Sequence, residues 1–264
     1  MRKLYRFLFA RPRFKKLNTA LFELSLSGLG VLNWEDENVS GEAHFIANVL
    51  PKWVRKKQPV FFDVGANVGA YSAKLRKAFP DAAIYSIEPH PKNFHRLVEN
   101  LSPLGAVKPL QLAVGSTSGR INLYDRDDRD GSSHASIYSE VISELHKQSV
   151  TSHEVTMRTL DEIVRSEGVD RIDLLKIDTE GNELAVLQGA AELIAADRIR
   201  CIHFEFNEMN TVSRIFLRDF RKVLPDCAFY RLLPSGLLRL GESPLATELF
   251  AYQNIVAVRR DKPR

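Results

Sequence analysis

The sequence predicts an α/β fold built on one mostly parallel sheet, and two observations support this. Short apolar runs at 59–64, 82–87, 107–114, 171–178, 199–206 and 227–233 alternate with helical patterns at 70–79, 91–101, 182–196 and 211–224. Strands separated by helices in this way lie parallel, with helices on both faces. Glycines and acids also gather directly after the runs, at Gly65, Gly69, Glu88, Gly115, Asp178, Glu180 and Gly181. Open α/β sheets bind ligands beyond the carboxyl ends of their strands, so function is expected there. A chain of 264 residues is long enough for one such domain with a full core.

Residues 1–58 read as a basic helical extension. Leu4, Phe7, Leu8, Leu17, Leu21, Phe22 and Leu24 recur at roughly helical spacing, a loop follows near 33–38, and a further helix covers 42–56. Residues 59–258 carry the alternating pattern without a linker, and 259–264 form a basic tail. Pro89 and Pro91 prepare the chain for the helix that begins near Lys92. A hairpin is expected between 110–114 and 120–124, turned through Ser116, Thr117, Ser118 and Gly119. The polar stretch 125–136 then reads as a loop, with 131–135 either a lid over a ligand or an ordinary surface loop. Further strands at 153–158 and 252–258 and a helix at 160–166 complete the pattern.

The charge is unevenly placed. Seven of the first sixteen residues are Lys or Arg and none is acidic, while 259–264 carries four basic groups against Asp261. The remaining body holds 26 basic and 32 acidic residues, a net charge near −6. A basic balance points to nucleic acid when the folded body carries it; here the termini carry it, and no nucleic-acid partner is expected. No run of eighteen apolar residues occurs, so no transmembrane helix is expected. Arg6, Arg11 and Arg13 break the N-terminal apolar stretch, and no small-residue cleavage site follows, so no secretory signal is expected. Cys201 and Cys227 lie in strand runs and read as core residues of a cytoplasmic protein. The basic N-terminus has two readings. Its apolar stripe packs on the body or on a second copy of the chain in a homo-oligomer, or it rests on an anionic membrane surface as a peripheral contact.

Chemistry concentrates at the strand ends. The first, Asp63-Val-Gly-Ala-Asn-Val-Gly69, has the glycines that a tight turn and close approach to a bulky ligand require. It departs from the dinucleotide pattern: Asn67 stands at the middle glycine and the third glycine is absent. An acid ahead of the first glycine suits a ligand with an ammonium or sulfonium group. Glu88 lies 23 residues after Gly65, about where an acid after the second strand meets ribose hydroxyls. At Leu112-Ala-Val-Gly115, small residues let an adenine lie against the backbone.

The fourth end is the most distinctive. Leu174, Lys176 and Asp178 share one face of a strand, and a lysine in an apolar parallel strand needs a carboxylate partner. Asp178 and Glu180 crowd the strand terminus. At the fifth end His203, Glu205 and Asn207 alternate with Ile202, Phe204 and Phe206, turning a polar face toward the cleft. His203, earlier in the strand, reads as a hydrogen-bonded core histidine.

These segments resemble the FkbM family of S-adenosylmethionine-dependent O-methyltransferases. The resemblance rests on Phe62-Asp-Val-Gly-Ala-Asn-Val-Gly-Ala-Tyr-Ser72, Ser86-Ile-Glu-Pro89, Leu112-Ala-Val-Gly115, Arg158-Thr-Leu-Asp161 and Asp173-Leu-Leu-Lys-Ile-Asp-Thr-Glu-Gly-Asn-Glu183. Leu187-Gln-Gly-Ala190 and Phe204-Glu-Phe206 agree with it. It implies a class I methyltransferase (Rossmann-like) sheet of seven strands, parallel except for the last at 252–258. It further implies S-adenosylmethionine as cofactor, with Asp63, Gly65, Asn67 and Gly69 around its methionine part, Glu88 on the ribose and Ala113 near the adenine; Tyr71 counts among the cofactor-binding residues. A small-molecule or glycan acceptor is implied, since the family methylates hydroxyls of sugars, glycolipids and polyketides.

Displacement of a sulfonium methyl by a hydroxyl needs alignment and removal of the hydroxyl proton. Asp178 is the expected base or acceptor-positioning group, with Glu180 and Glu205 assisting. Lys176 is expected to hold the carboxylates apart and lower their pKa values. A less favoured version has Asp178, Glu180, Glu205 and Asn207 hold a divalent ion. Two other classes stay open: a nicotinamide-dependent oxidoreductase, and a binding protein that keeps the core without the activity.

Overall fold

The computed structural model describes residues 2–54, 56–127, 131–132, 135–145, 147 and 149–260. Its strands are β1 (Val60–Val64), β2 (Ala83–Ile87), β3 (Val107–Leu110), β4 (Ala113–Val114), β5 (Gly119–Arg126), β6 (Val150–Arg158), β7 (Leu174–Ile177), β8 (Cys201–Phe206), β9 (Cys227–Leu233), β10 (Gly236–Arg239) and β11 (Gln253–Arg259). Its helices are α1 (Arg2–Phe9), α2 (Lys15–Gly28), α3 (Glu42–His44), α4 (Leu50–Trp53), α5 (Ala70–Ala78), α6 (Pro91–Leu101), α7 (Leu160–Ser166), α8 (Glu183–Gln188), α9 (Ala191–Ala195), α10 (Met209–Val212), α11 (Leu217–Val223) and α12 (Pro244–Thr247). Residues 261–264, most of the basic tail, lie outside the described residues.

The main sheet runs β10-β9-β11-β8-β7-β1-β2-β3. Pairing is parallel from β8 through β7, β1 and β2 to β3, while β11 is antiparallel to both neighbours. The antiparallel last strand is as expected. An eighth strand is not: β10 folds back on β9 through Pro234 and Ser235 and extends the edge.

The expected hairpin between 110–114 and 120–124 does not form. In a second sheet, β6 lies between β4 and β5, parallel to the first and antiparallel to the second. The physical reason is length. β5 pairs with β6 from Gly119↔Met157 to Arg126↔Val150, a full ladder that the two-residue β4 does not match.

Two helices come out in pieces. The pattern at 182–196 breaks into α8 and α9 at Gly189 and Ala190. The new helix start is capped from outside, because the Asp161 carboxylate accepts from the backbone N–H of Glu192 and Leu193 at 3.0 Å each, groups that a helix start leaves unpaired. The pattern at 211–224 divides into α10 and α11, with Arg214 in the left-handed region (φ 56°) between them. The helix expected over 42–56 is observed as α3, a π-turn over Phe45–Val49 and α4.

Strand alternation sorts the core. Phe62, Val64, Leu175, Ile177, Ile202 and Phe204 pack on one face with Leu160, Leu187 and Phe220 from α7, α8 and α11. Phe61, Ile84, Leu174 and Cys201 face the other way, against Tyr71 and Leu75 of α5 and Phe45, Ile46, Leu50 and Val54. Residues 45–54 of the extension are thus part of the layer that covers this face of the sheet. Buried Arg231 ties the extension down: its guanidinium donates to Leu29 O at 3.1 Å and Ala246 O at 3.0 Å, and to Gln253 Oε1 at 2.8 Å. By contrast α1 buries no residue and α2 buries only Leu26. Among the described residues, no helix is long and apolar enough to cross a membrane.

Candidate active site

A pocket opens at the carboxyl ends of β1, β2 and β7, with β4 closing one side. Gly65, Asn67, Glu88, Ala113, Asp178 and Asn182 are among its lining residues. Gly65 is required by the backbone: its φ is +81°, and a Cβ there would fall 1.7 Å from Asp178 O. The glycine turn therefore lies directly against the β7 terminus. Asn182 adds a further tie, its Nδ2 donating to Val114 O at 2.9 Å.

Glu88 is buried at the pocket floor. Its Oε1 accepts from His90 N at 2.8 Å and its Oε2 from Asn67 N at 2.9 Å. Burial pushes its carboxyl up to about 7, against the pull of those two backbone bonds. A carboxylate offers about four acceptor positions, so two remain for the hydroxyls of a ribose. The backbone cradle and the acid together match a nucleoside ligand.

Three residues expected around the cofactor, Asp63, Gly69 and Tyr71, are not in the lining of this pocket. Register explains the first: Ser86, Asp63, Lys176 and His203 are successive partners across β2, β1, β7 and β8, and all four are buried. This polar row crosses the sheet beneath α5. Ser72 Oγ donates to Asp63 Oδ2 at 2.6 Å and lies 2.6 Å from Ser86 Oγ. Burial raises the Asp63 carboxyl to about 6, more than the Ser72 bond lowers it. Tyr71 belongs to the same row, with its hydroxyl 2.9 Å from His203 Nδ1 and Lys176 Nζ 5.6 Å from its ring centroid. Gly69 forms the left-handed start of α5 against Leu101.

His203 is a hydrogen-bonded core histidine. Nε2 lies 2.8 Å from Asn254 Oδ1, and Asn254 Nδ2 donates to Tyr252 Oη at 3.0 Å. Burial, with Lys176 adding to it, holds its pKa well below the ordinary value. The ring is neutral, and the network assigns its proton to Nε2, so Nδ1 accepts from Tyr71.

Lys176 gathers carboxylates beside this polar row. Its Nζ lies 3.5 Å from Asp178 Oδ2 and 4.0 Å from Glu42 Oε1, and the same Glu42 oxygen is 3.9 Å from His203 Nε2. Burial disfavours the ammonium, but Asp178, Glu42 and Glu205 together outweigh it and raise its pKa. A buried ammonium left unpaired costs several kcal/mol, which is why the carboxylates surround it. Sequence reasoning missed Glu42, which is separated from Lys176 by more than a hundred residues of chain. The available signal was Gly41 beside it. Gly41 has φ +85°, and a Cβ there would fall 2.5 Å from Leu233 O, so this turn is pressed onto the end of β9.

The expectation that Lys176 lowers the carboxylates at the strand ends fails for Glu180 and Glu205, and Glu42 behaves as they do. Burial raises Glu42, Glu180 and Glu205, with Asp178 adding to each, and Lys176 opposes this without prevailing. Glu180 has a left-handed backbone (φ 53°) and lines the pocket with Asp178. Glu205 accepts from Asn207 Nδ2. Asn207 Oδ1 is taken by Met209 N at 2.9 Å. Glu183 shapes the turn: its Oε1 accepts from Thr179 N, Thr179 Oγ1 and Gly181 N at 3.0–3.1 Å. Among the described residues, no group of three or more His, Cys, Asp or Glu side chains is set to hold a metal ion.

The 125–136 loop reaches the pocket. Ser132 and Ala135 line it, while Ser133 and His134 lie outside the described residues. Asp125 anchors the loop by accepting from Gly131 N at 2.7 Å and Ser132 N at 2.9 Å.

The molecule has the class I methyltransferase architecture. A solved structure, methyltransferase FkbM from Methylobacillus flagellatus KT, aligns with a TM-score of 0.50 over 91% of this chain and 60% of that one, at 13% identity, a likeness of fold alone. The chain belongs to the FkbM methyltransferase family: the profile of the methyltransferase FkbM domain matches residues 63–229. It is 30% identical over 158 residues to methyltransferase sdnD of Sordaria araneosa, covering 51% of this chain and 61% of that protein. It is 26% identical over 192 residues to 2-O-methyltransferase NoeI of Sinorhizobium fredii, covering 70% and 78%. It is 31% identical over 160 residues to hexuronic acid methyltransferase AglP of Haloferax volcanii, covering 59% of each. The chain thus spans about three fifths of the length of sdnD and AglP.

Proposed function

We propose that the protein transfers a methyl group from S-adenosylmethionine to a hydroxyl of a carbohydrate acceptor, free or carried on a glycolipid. The observation that carries this reading is the position of Asp178. It lines the pocket that holds Glu88, and its carboxylate sits 3.5 Å from the buried Lys176 ammonium. The names of two relatives, a 2-O-methyltransferase and a hexuronic acid methyltransferase, support the acceptor class.

S-adenosylmethionine supplies an activated methyl on a sulfonium. Glu88 would hold the ribose hydroxyls, the Gly65–Asn67 backbone the methionine part and Ala113 the adenine. Asp178 would accept the proton of the acceptor hydroxyl, the role its place in the pocket beside Lys176 supports. Lys176 holds Asp178 in place through the 3.5 Å contact of its ammonium with Oδ2. Glu42 and Glu205 complete the polar wall on the acceptor side, and Glu180 lies between the two halves. The contribution of Asp178 is alignment and proton removal; the two together supply orders of magnitude in rate.

The test is transfer of labelled methyl onto extracted glycans, glycolipids and small polyols. Label in an alkali-stable ether on a sugar hydroxyl is the expected result. Binding of the cofactor with no transfer to any hydroxyl acceptor, or transfer to nitrogen or carbon, would sink the reading.

A further inference from the structure

We infer that α1 and α2 form a docking surface for an anionic lipid bilayer. The two helices are a built unit. Tyr5 Oη donates to Asn18 Oδ1 at 2.6 Å, Asn18 Nδ2 donates to Phe9 O at 3.0 Å, and the Phe9 ring packs on Tyr5 and Phe14 at 5.1 and 5.2 Å. The hairpin turns its apolar side chains away from the fold. Leu4, Phe7, Phe22 and Leu24 are 60–71% exposed, and Leu8, Leu17 and Leu21 are exposed beside them. Packing of this stripe on the body, one of the readings the sequence allowed, is therefore not observed.

Charge identifies what covers the stripe. At roughly 3.6 residues per turn, Arg2, Lys3 and Arg6 share one arc of α1 about 100° wide, and Phe7, Leu4 and Leu8 occupy the neighbouring arc, with Phe7 next to Lys3. Arg11, Arg13, Lys15 and Lys16 follow at the turn, and the first acid of the chain is Glu23. Seven cations beside an apolar stripe, with no acid until Glu23, match a surface that is anionic at the headgroups and apolar beneath. A two-fold contact between hairpins would set the same seven cations against one another. The cations attract the surface over about a Debye length, and the Leu and Phe side chains then enter the headgroup boundary.

The test is flotation of the full chain with vesicles of phosphatidylcholine, with and without roughly 30% phosphatidylglycerol. Co-flotation with the anionic vesicles only is expected, falling steeply as salt rises from about 0.05 to 0.5 M. Arg2→Gln/Lys3→Gln/Arg6→Gln is expected to weaken partitioning about 100-fold. Phe7→Glu/Leu24→Glu is expected to abolish it. Both side chains are exposed, so the thermal midpoint should stay at the parent value, and circular dichroism checks this. Equal flotation of parent and Phe7→Glu/Leu24→Glu would overturn the inference. So would absence of flotation on anionic vesicles together with a dimer dispersed by Phe7→Glu, which would place a second copy on the stripe.

Discussion

On the Glu88 side of the cleft the chain presents mainly backbone and small residues; on the Lys176 side it presents charge. Gly65 lets its turn approach Asp178 O, and Asn67 N and His90 N fix one carboxylate. That half comes from neighbouring strand ends. The other half draws Lys176 from β7, His203 and Glu205 from β8, Asn254 from β11 and Glu42 from before the first strand. The first half receives a ligand of fixed shape by close approach. The second holds several ionisable groups out of water around one ammonium, an arrangement suited to moving a proton.

The sharpest way to separate the halves is Asp178→Asn. Turnover is expected to fall about 1000-fold while the cofactor Kd changes less than about threefold. Calorimetry of cofactor binding beside single-turnover transfer checks this, and a parallel loss of binding would erase the division. Lys176→Met is next in size. Removing the ammonium leaves Glu42, Asp178 and Glu205 without their cation, and a loss of about 4 kcal/mol in urea unfolding is expected. Adding Glu42→Gln should restore part of it.

The pH dependence of stability probes the first half. With its carboxyl moved from 4.5 to about 7, Glu88 in the fold keeps a proton that the unfolded chain releases. Its stabilising contribution is full below the unfolded value and is lost as pH rises to about 7, on the order of 3 kcal/mol. The cofactor-free protein should therefore lose stability across that window, and Glu88→Gln should flatten the slope. Cofactor affinity should move the opposite way, tightening as pH rises through about 7, because ribose hydroxyls favour the ionised carboxylate. A flat midpoint from pH 5 to 7.5 in differential scanning would contradict this account of Glu88. The smallest effect belongs to Glu42→Gln. A roughly tenfold fall in turnover with cofactor Kd unchanged and an altered acid limb of the pH–rate profile is expected for a group acting through Lys176.

Much of the first half was legible in the sequence, because its parts are local. Gly65, Asn67, Glu88 and Ala113 each follow a strand, and they reach the pocket by position alone. Tyr71 and Asp63 lie in the same motif, yet face the polar row, since strand register and the rotation of α5 decide which side each takes. The breaks that divide α8 from α9 and α10 from α11 carry weak local signals. The first depends on Asp161 reaching across from α7.

The sequence by itself determined the alternation of strands and helices, the glycine turn, the acid after the second strand and the demand that Lys176 find carboxylates. These follow from periodicity, backbone freedom and the cost of burying charge, all of which act over a few residues. Only the tertiary structure decided which carboxylates answer Lys176, that residues 45–54 cover one face of the sheet beside α5, and that the apolar stripe of α1 and α2 stays uncovered. Those outcomes depend on contacts between residues far apart in the chain, where packing and register, rather than local preference, set the free energy.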